Sequence, residues 1–237
     1  MNKITIFILV TIAIAACQKE KTTVIKKQVT KVDTIINSEI TCNCPDSKYH
    51  EKGSIADTVF SLSKNKTVAL CGYQNENGNF SEFTLSVCNS NKIIDFWGAV
   101  KNCRIESKND TLYVYEIKFL PVSKNFEYDS IAWNIEKIYF NKDSINRINV
   151  VNPEFPKYTN SQITEVLSEF EEADSKIDEQ KMALANKLFV ATVSGNDKAR
   201  GFFKKFPLKM TVLDGAYAEE YHELEAMLKQ WDSQNKP

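Results

Sequence analysis

Histidine is almost absent from this chain: His50 and His222 are the only two in 237 residues. A protein metal centre needs three or four ligands at restricted spacings. His222 has only Glu219, one helical turn away, as an obvious companion. Cys42, Cys44 and His50 put soft ligands into one short stretch, but their spacing does not match a structural zinc site. No metal and no other cofactor is therefore expected. Glycine is also scarce, with seven residues, none of them clustered. That excludes the glycine-rich loops that cradle nucleotide phosphates. A nucleophile elbow and a zincin helix are missing as well. Paired carboxylates such as Glu171 and Glu172 belong on solvated helix faces, so no residue is singled out as catalytic. Charge of one sign is lacking too: 30 basic residues face 31 acidic ones. Nothing in that balance favours nucleic acid as a partner. No apolar run reaches the roughly 20 residues that a membrane-spanning helix needs.

The N-terminus is more informative. Met1-Asn2-Lys3 is a short positive leader, and positions 4–16 are uncharged and mostly apolar. The run ends in Ile14-Ala15-Ala16-Cys17, and Gln18-Lys19-Glu20 turns polar at once. A charged start, a short apolar middle and small residues at its end describe a secretory signal. The four residues before the polar turn resemble the lipobox of bacterial lipoproteins. The resemblance implies cleavage before Cys17, diacylation of its thiol and acylation of the new amine, palmitate among the chains. One acyl chain anchors a protein only marginally, whereas two or more hold it firmly. The implied address is the cell envelope, with a membrane contact through Cys17. The absence of Asp after Cys17 favours the outer membrane.

Positions 18–40 then read as a tether. Lys19, Lys21, Lys26, Lys27 and Lys31 outnumber Glu20, Asp33 and Glu39, and a basic juxtamembrane stretch is drawn to anionic lipid. As a coil such a segment reaches on the order of 25 Å. Val24, Val29, Val32, Ile35 and Ile36 leave open that part of it pairs as a strand or packs as a helix.

Five cysteines remain after Cys17. An oxidising envelope favours disulfides, and an odd number leaves at least one thiol unpaired or bridged between molecules. Cys42 and Cys44 are too close to pair with each other without strain. One bridge is expected among Cys71, Cys88 and Cys103, which fall on strands. A bridge from the Cys42/Cys44 segment would pin the tether to the sheet.

Residues 55–151 alternate apolar and polar and are punctuated by turn residues. Strands are expected over 58–63, 66–73, 80–88, 92–97, 103–107, 111–119, 131–140 and 145–151. Asn77-Gly78 marks a hairpin. Tyr113, Tyr115, Ile117 and Phe119 share one face. After Pro153 and Pro156 the period becomes helical. Thr159 and Gln162 form a capping box ahead of a first helix. A second is expected over 178–193, a third over 197–206 stopped by Pro207, and a fourth from an Asp214 cap to Trp231 with Tyr217 facing inward. The chain is thus read as α+β: signal 1–16, tether 17–40, an antiparallel β-rich part 41–152 folded as a bent sheet or sandwich, and a helical part 153–237.

One short pattern recurs. Asp followed by Ser or Thr and an aliphatic residue occurs with Thr34, Thr58, Thr111, Ser130 and Ser144. It resembles an O-glycosylation consensus for secreted proteins of one large group of Gram-negative bacteria. A plainer cause is that Asp closes turns while a β-branched residue opens strands. With an anchor, a tether, a β platform and helices, and no catalytic constellation, the chain reads as a non-catalytic envelope lipoprotein that binds another protein or a ligand. An inhibitor- or immunity-type lipoprotein is the specific form of that reading. Its rivals are an envelope hydrolase or carbohydrate-acting enzyme, and a structural lipoprotein that links membrane to wall.

Overall fold

The structure is a computed structural model that describes residues 41–46, 53–62, 66–174, 177–210 and 215–235. Among these described residues, eight strands precede four helices: β1 (Thr58–Leu62), β2 (Lys66–Gln74), β3 (Phe80–Val87), β4 (Ile93–Trp97), β5 (Asn102–Lys108), β6 (Thr111–Leu120), β7 (Asp129–Asn141), β8 (Ser144–Val151), α1 (Asn160–Glu172), α2 (Asp178–Val193), α3 (Asp197–Lys209) and α4 (Gly215–Gln234). This is the α+β arrangement expected, and the sheet is single and bent. Its order is β1-β2-β3-β5-β6-β7-β8, and β4 pairs with β3 beside β5. Every pairing is antiparallel. At the β2–β3 hairpin, the Asn75 side chain accepts hydrogen bonds from the backbone of Asn77 and Asn79, both at 3.0 Å.

Three register shifts interrupt the ladders, one of them between β3 and β4 at Ile94, and a bulge sharpens local twist. The other two matter most here. In the first, Glu82 takes φ +50° where the β2–β3 register shifts. Gly72 lies opposite, where an added Cβ would come within 2.2 Å of the Phe83 Cβ. In the second, the β6–β7 register skips Trp133. That bulge turns Trp133 inward, on the same face as Ile131 and Val151.

The inner face carries two cores. Leu62, Val68, Leu70, Phe83, Leu85, Leu112, Val114 and Ile138 fill the bend of the sheet. Trp97 stacks on Phe83 at 4.7 Å. The curl brings β8 to β4: Arg147 pairs with Asp95 and Glu136 and donates to the Ile94 carbonyl at 3.4 Å. At the other end of the same face, Leu120, Trp133 and Val151 join the helices in a second cluster. Trp133 is ringed there by Phe155, Phe189 and Trp231, with centroids 5.3, 5.4 and 6.0 Å away. Residues Ile40–Pro237 form one compact unit.

The helices follow their sequence signals except at two places. The capping box at Thr159 and Gln162 is formed. The central helix, α2, is buried on nearly every side from Lys181 to Val193. Pro207, however, does not stop α3, which runs on to Lys209. Proline removes the bond that would reach the carbonyl four residues back. Here that carbonyl, on Phe203, accepts instead from the Tyr221 hydroxyl of α4 at 2.7 Å. The second difference is Tyr217, which is 36% exposed, while Met227 takes an inward place. Asp214, the expected cap, lies outside the described residues. No described helix is long and apolar enough to cross a membrane.

Candidate functional site

The cysteines pair on one side of the sheet, through the N-terminal segment. Cys42 bonds Cys88 and Cys44 bonds Cys71, while Cys103 is free and buried. The bridge expected among Cys71, Cys88 and Cys103 is therefore corrected to two bridges from the N-terminal segment. The reason is the pleat, which sends successive side chains to opposite faces. Cys103 pairs with Phe80 in the ladder and shares its inner core. Cys71 neighbours the inward Leu70 and so points outward. The sheet itself stands between the two sulfurs. Burial, and then the nearby Glu116 carboxylate, pushes the Cys103 thiol from 9.0 up to about 12.

The bridged segment forms a clasp. Asn43 pairs with Ile55, Cys44 donates to the Ser54 carbonyl at 2.8 Å and Ala56 to the Cys42 carbonyl at 2.9 Å. The clasp lies on the outer face of β2 and β3, whose outward residues Ala69, Cys71, Thr84 and Ser86 are small and buried.

A second feature sits where the sheet meets α4. Val100, Ala216, Glu219, Glu220 and Glu223 line a cleft of about 350 Å³. Its carboxylates are positioned from below. Asn186 of α2 is 2% exposed. Its amide donates to Glu220 at 2.9 Å and to the Tyr128 oxygen at 3.4 Å. Burial raises the Tyr128 pKa; the Asn186 bond opposes that, and Glu220 adds to it. Tyr128 packs on Phe119 with centroids 5.1 Å apart. Phe119 is 65% and Val100 90% exposed. The cleft is therefore acidic, with one exposed apolar residue, Val100, in its lining.

Beneath it, Lys118 pairs with Glu223 and, at 3.0 Å, with Glu116, which also meets Lys101 at 3.1 Å. Burial alone would raise the Glu116 pKa, but Lys118 and Lys101 reverse that and hold it below the usual carboxylate value. Burial alone would lower Lys118, and Glu116 and Glu223 instead hold it above its usual value. Both directions favour the charged forms of Glu116 and Lys118.

The other sequence candidates fall as follows. Cys17, Thr34 and His50 lie outside the described residues. Thr58, Thr111 and Ser144 each open a strand, and Ser130 is the second residue of β7. Ser130 and Ser144 are exposed; Thr58 and Thr111 are half-buried. Asp110 and Lys142 take positive φ in the turns before two of these strands, so the pattern tracks turn–strand junctions. His222 is exposed and pairs with Glu225 at 2.9 Å. Among the described residues, no group of three His, Cys, Asp or Glu is placed to hold a metal ion. The cleft joins residues from 100 to 223 and has no single signal in the sequence. Its traces are an acidic first half of α4 and Asn186, one of three polar residues, with Lys181 and Thr192, on the buried surface of α2.

No protein-family model, no curated protein and no solved structure matches this chain.

Proposed function

We propose that this chain is a non-catalytic lipoprotein of the cell envelope, anchored through acylated Cys17 in the outer membrane. It binds a protein whose surface is basic and partly apolar at the cleft between α4 and the β4–β5 loop. The observation that carries the binding role is the cleft: Glu219, Glu220 and Glu223 crowd one helix face, with exposed Val100 in the same lining. Basic partners are steered to such a patch by the field of the carboxylates. An acidic surface is also what an inhibitor- or immunity-type lipoprotein needs to cap a basic incoming protein. Of the motif hydroxyls among the described residues, Ser130 and Ser144 are the exposed candidates for a glycan; together with Thr34 of the tether they would show it as added hexose mass on the secreted chain.

The test immobilises residues 18–237 and captures envelope and secreted proteins under non-reducing conditions. One dominant, competable partner is expected, and Glu219→Lys with Glu220→Lys should weaken its capture at least tenfold. A folded sample that captures nothing, or captures equally with the charges reversed, defeats the cleft reading. Acylation is read separately: the mass of the membrane-extracted protein should carry acyl chains that Cys17→Ser removes.

A further inference from the structure

The outer face of the sheet changes character beyond the clasp. On β6, β7 and β8 the facing rows are Tyr115, Ile135 and Val150, and next to them Tyr113, Lys137 and Ile148. None of these six belongs to either buried cluster. An antiparallel sheet with one face in a core normally turns polar side chains to water on the other. Here the second face is apolar and aromatic, laced with cations. Arg104 lies over the Tyr115 ring at 4.8 Å and Lys137 over Tyr113 at 6.0 Å. Lys108 adds a third cation on the same face, against one carboxylate, Glu106, which Arg104 pairs at 2.9 Å.

We infer that this tyrosine-rich outer face rests on an anionic lipid surface, the headgroups of the membrane to which the chain is tied. The inference rests in part on the anchored reading above. Three observations choose lipid over a protein. The clasp joins the N-terminal segment to the outer side of the sheet through Cys42 and Cys44. The chain therefore enters the fold at the outer, convex surface of the sheet, the surface that also carries the tyrosines. Only positions 18–40 separate Cys17 from the clasp segment, a length that as a coil would reach on the order of 25 Å. That holds the domain close to the bilayer. Finally, the tether is itself basic, so tether and face ask for the same counter-surface. Tyrosine rings settle at headgroup depth, Lys and Arg stems cover apolar surface while their charges reach phosphate, and anionic leaflets attract basic segments. The opposite side of the sheet, with the acidic cleft and α4, is then left facing away from the lipid.

The test uses residues 18–237, which carry no acyl chain, with sedimenting vesicles of phosphatidylcholine alone or with one-third phosphatidylglycerol. Binding to the anionic vesicles is expected to exceed that to the neutral ones at least tenfold and to fall as salt rises. Arg104→Glu with Lys137→Glu should abolish most of it with an unchanged melting temperature. Replacing Lys26, Lys27 and Lys31 by Gln should leave most of it. A milder variant, Tyr113→Ser with Tyr115→Ser, should also weaken binding. The inference is overturned if the tether lysines alone carry binding, if neutral and anionic vesicles bind equally, or if no vesicle binds and the face instead captures an envelope protein. Because the probe lacks lipid, these outcomes are independent of whether Cys17 is acylated, which the mass measurement decides.

Discussion

On β2 and β3 the outer face of the sheet carries Ala69, Cys71, Thr84 and Ser86; on β6 to β8 it carries Tyr113, Tyr115, Tyr139, Ile135, Ile148 and Val150. The first set is buried, with Ala69 and Cys71 at 0% exposure, and the second is only half-buried or, like Ile148 at 45%, exposed. Small residues let another stretch of backbone approach a sheet closely, and two disulfides fix that stretch in place. Large amphipathic residues leave no room for such a cover and instead present area and hydroxyls to something outside the fold. One face of one sheet thus shows both solutions: intramolecular cover where side chains shrink, and open surface where they grow. The covered half is held by covalent bonds, because a clasp this short has few apolar contacts of its own.

The largest effect should come from cutting that cover. A disulfide restricts the unfolded chain, and for loops of these lengths the loss is about 3 to 4 kcal/mol. Cys44→Ala with Cys71→Ala closes no loop across a separation of 27 residues, and Cys42→Ala with Cys88→Ala none across 46. Urea unfolding should show losses of that size for either pair. A shift below about 1 kcal/mol would mean that the clasp is held by packing rather than by sulfur. Alkylation gives the matching count on residues 18–237: one cysteine, Cys103, should react only after unfolding, and the other four only after reduction. Cys103 has a pH signature as well. Its folded thiol is raised to about 12 from 9.0. Between those values the unfolded chain therefore loses its proton first. Stability from this group is intact below pH 9 and declines as pH rises towards 12. Cys103→Val should flatten the stability profile in that window.

A middle-sized effect should separate the two halves by volume. Ala69→Leu adds bulk beneath the clasp, where overpacking costs about 1 to 3 kcal/mol. Ile148→Leu on the open half should cost less than about 0.5 kcal/mol, as surface changes usually do. Equal costs in urea unfolding would show that the open half is packed after all.

Much of this contrast is legible in the amino-acid sequence, and the illegible parts share a cause. Strand placement follows from period-two alternation and from Asn-rich turns such as 75–79, which are local. The helical half follows from capping and an apolar stripe, equally local. The disulfide partners escape such reading because they depend on which face each cysteine occupies. The bulges at Glu82 and Trp133 and the side-by-side pairing of β4 and β5 with β3 decide such neighbours. Continuation of α3 through Pro207 escapes it because its remedy, the Tyr221 hydroxyl, comes from another helix. The cleft escapes it because Val100, Asn186 and Glu220 meet only through packing. Local chemistry thus sets the elements, and long-range contacts decide the site.

The smallest predicted effect tests how tightly the clasp seals its half of the face. Among the described residues, the buried hydroxyls of Ser86 on β3 and Ser54 in the clasp find no hydrogen-bond partner. A buried hydroxyl without a partner forfeits its hydration and recovers nothing, a cost of roughly 1 to 3 kcal/mol. Removing it takes that penalty away and leaves a space the size of one oxygen, which lowers packing slightly. The two terms oppose each other, and the first is the larger for so small a void. Ser86→Ala should therefore stabilise the protein, by about 0.5 to 1 kcal/mol in urea unfolding. Thr111→Ala on the open half removes a hydroxyl that is half-buried and donates to the Asn109 carbonyl at 3.4 Å, so it should be neutral or mildly destabilising. If Ser86→Ala destabilises instead, water reaches the hydroxyl beneath the clasp, and the cover is looser than its two disulfides suggest.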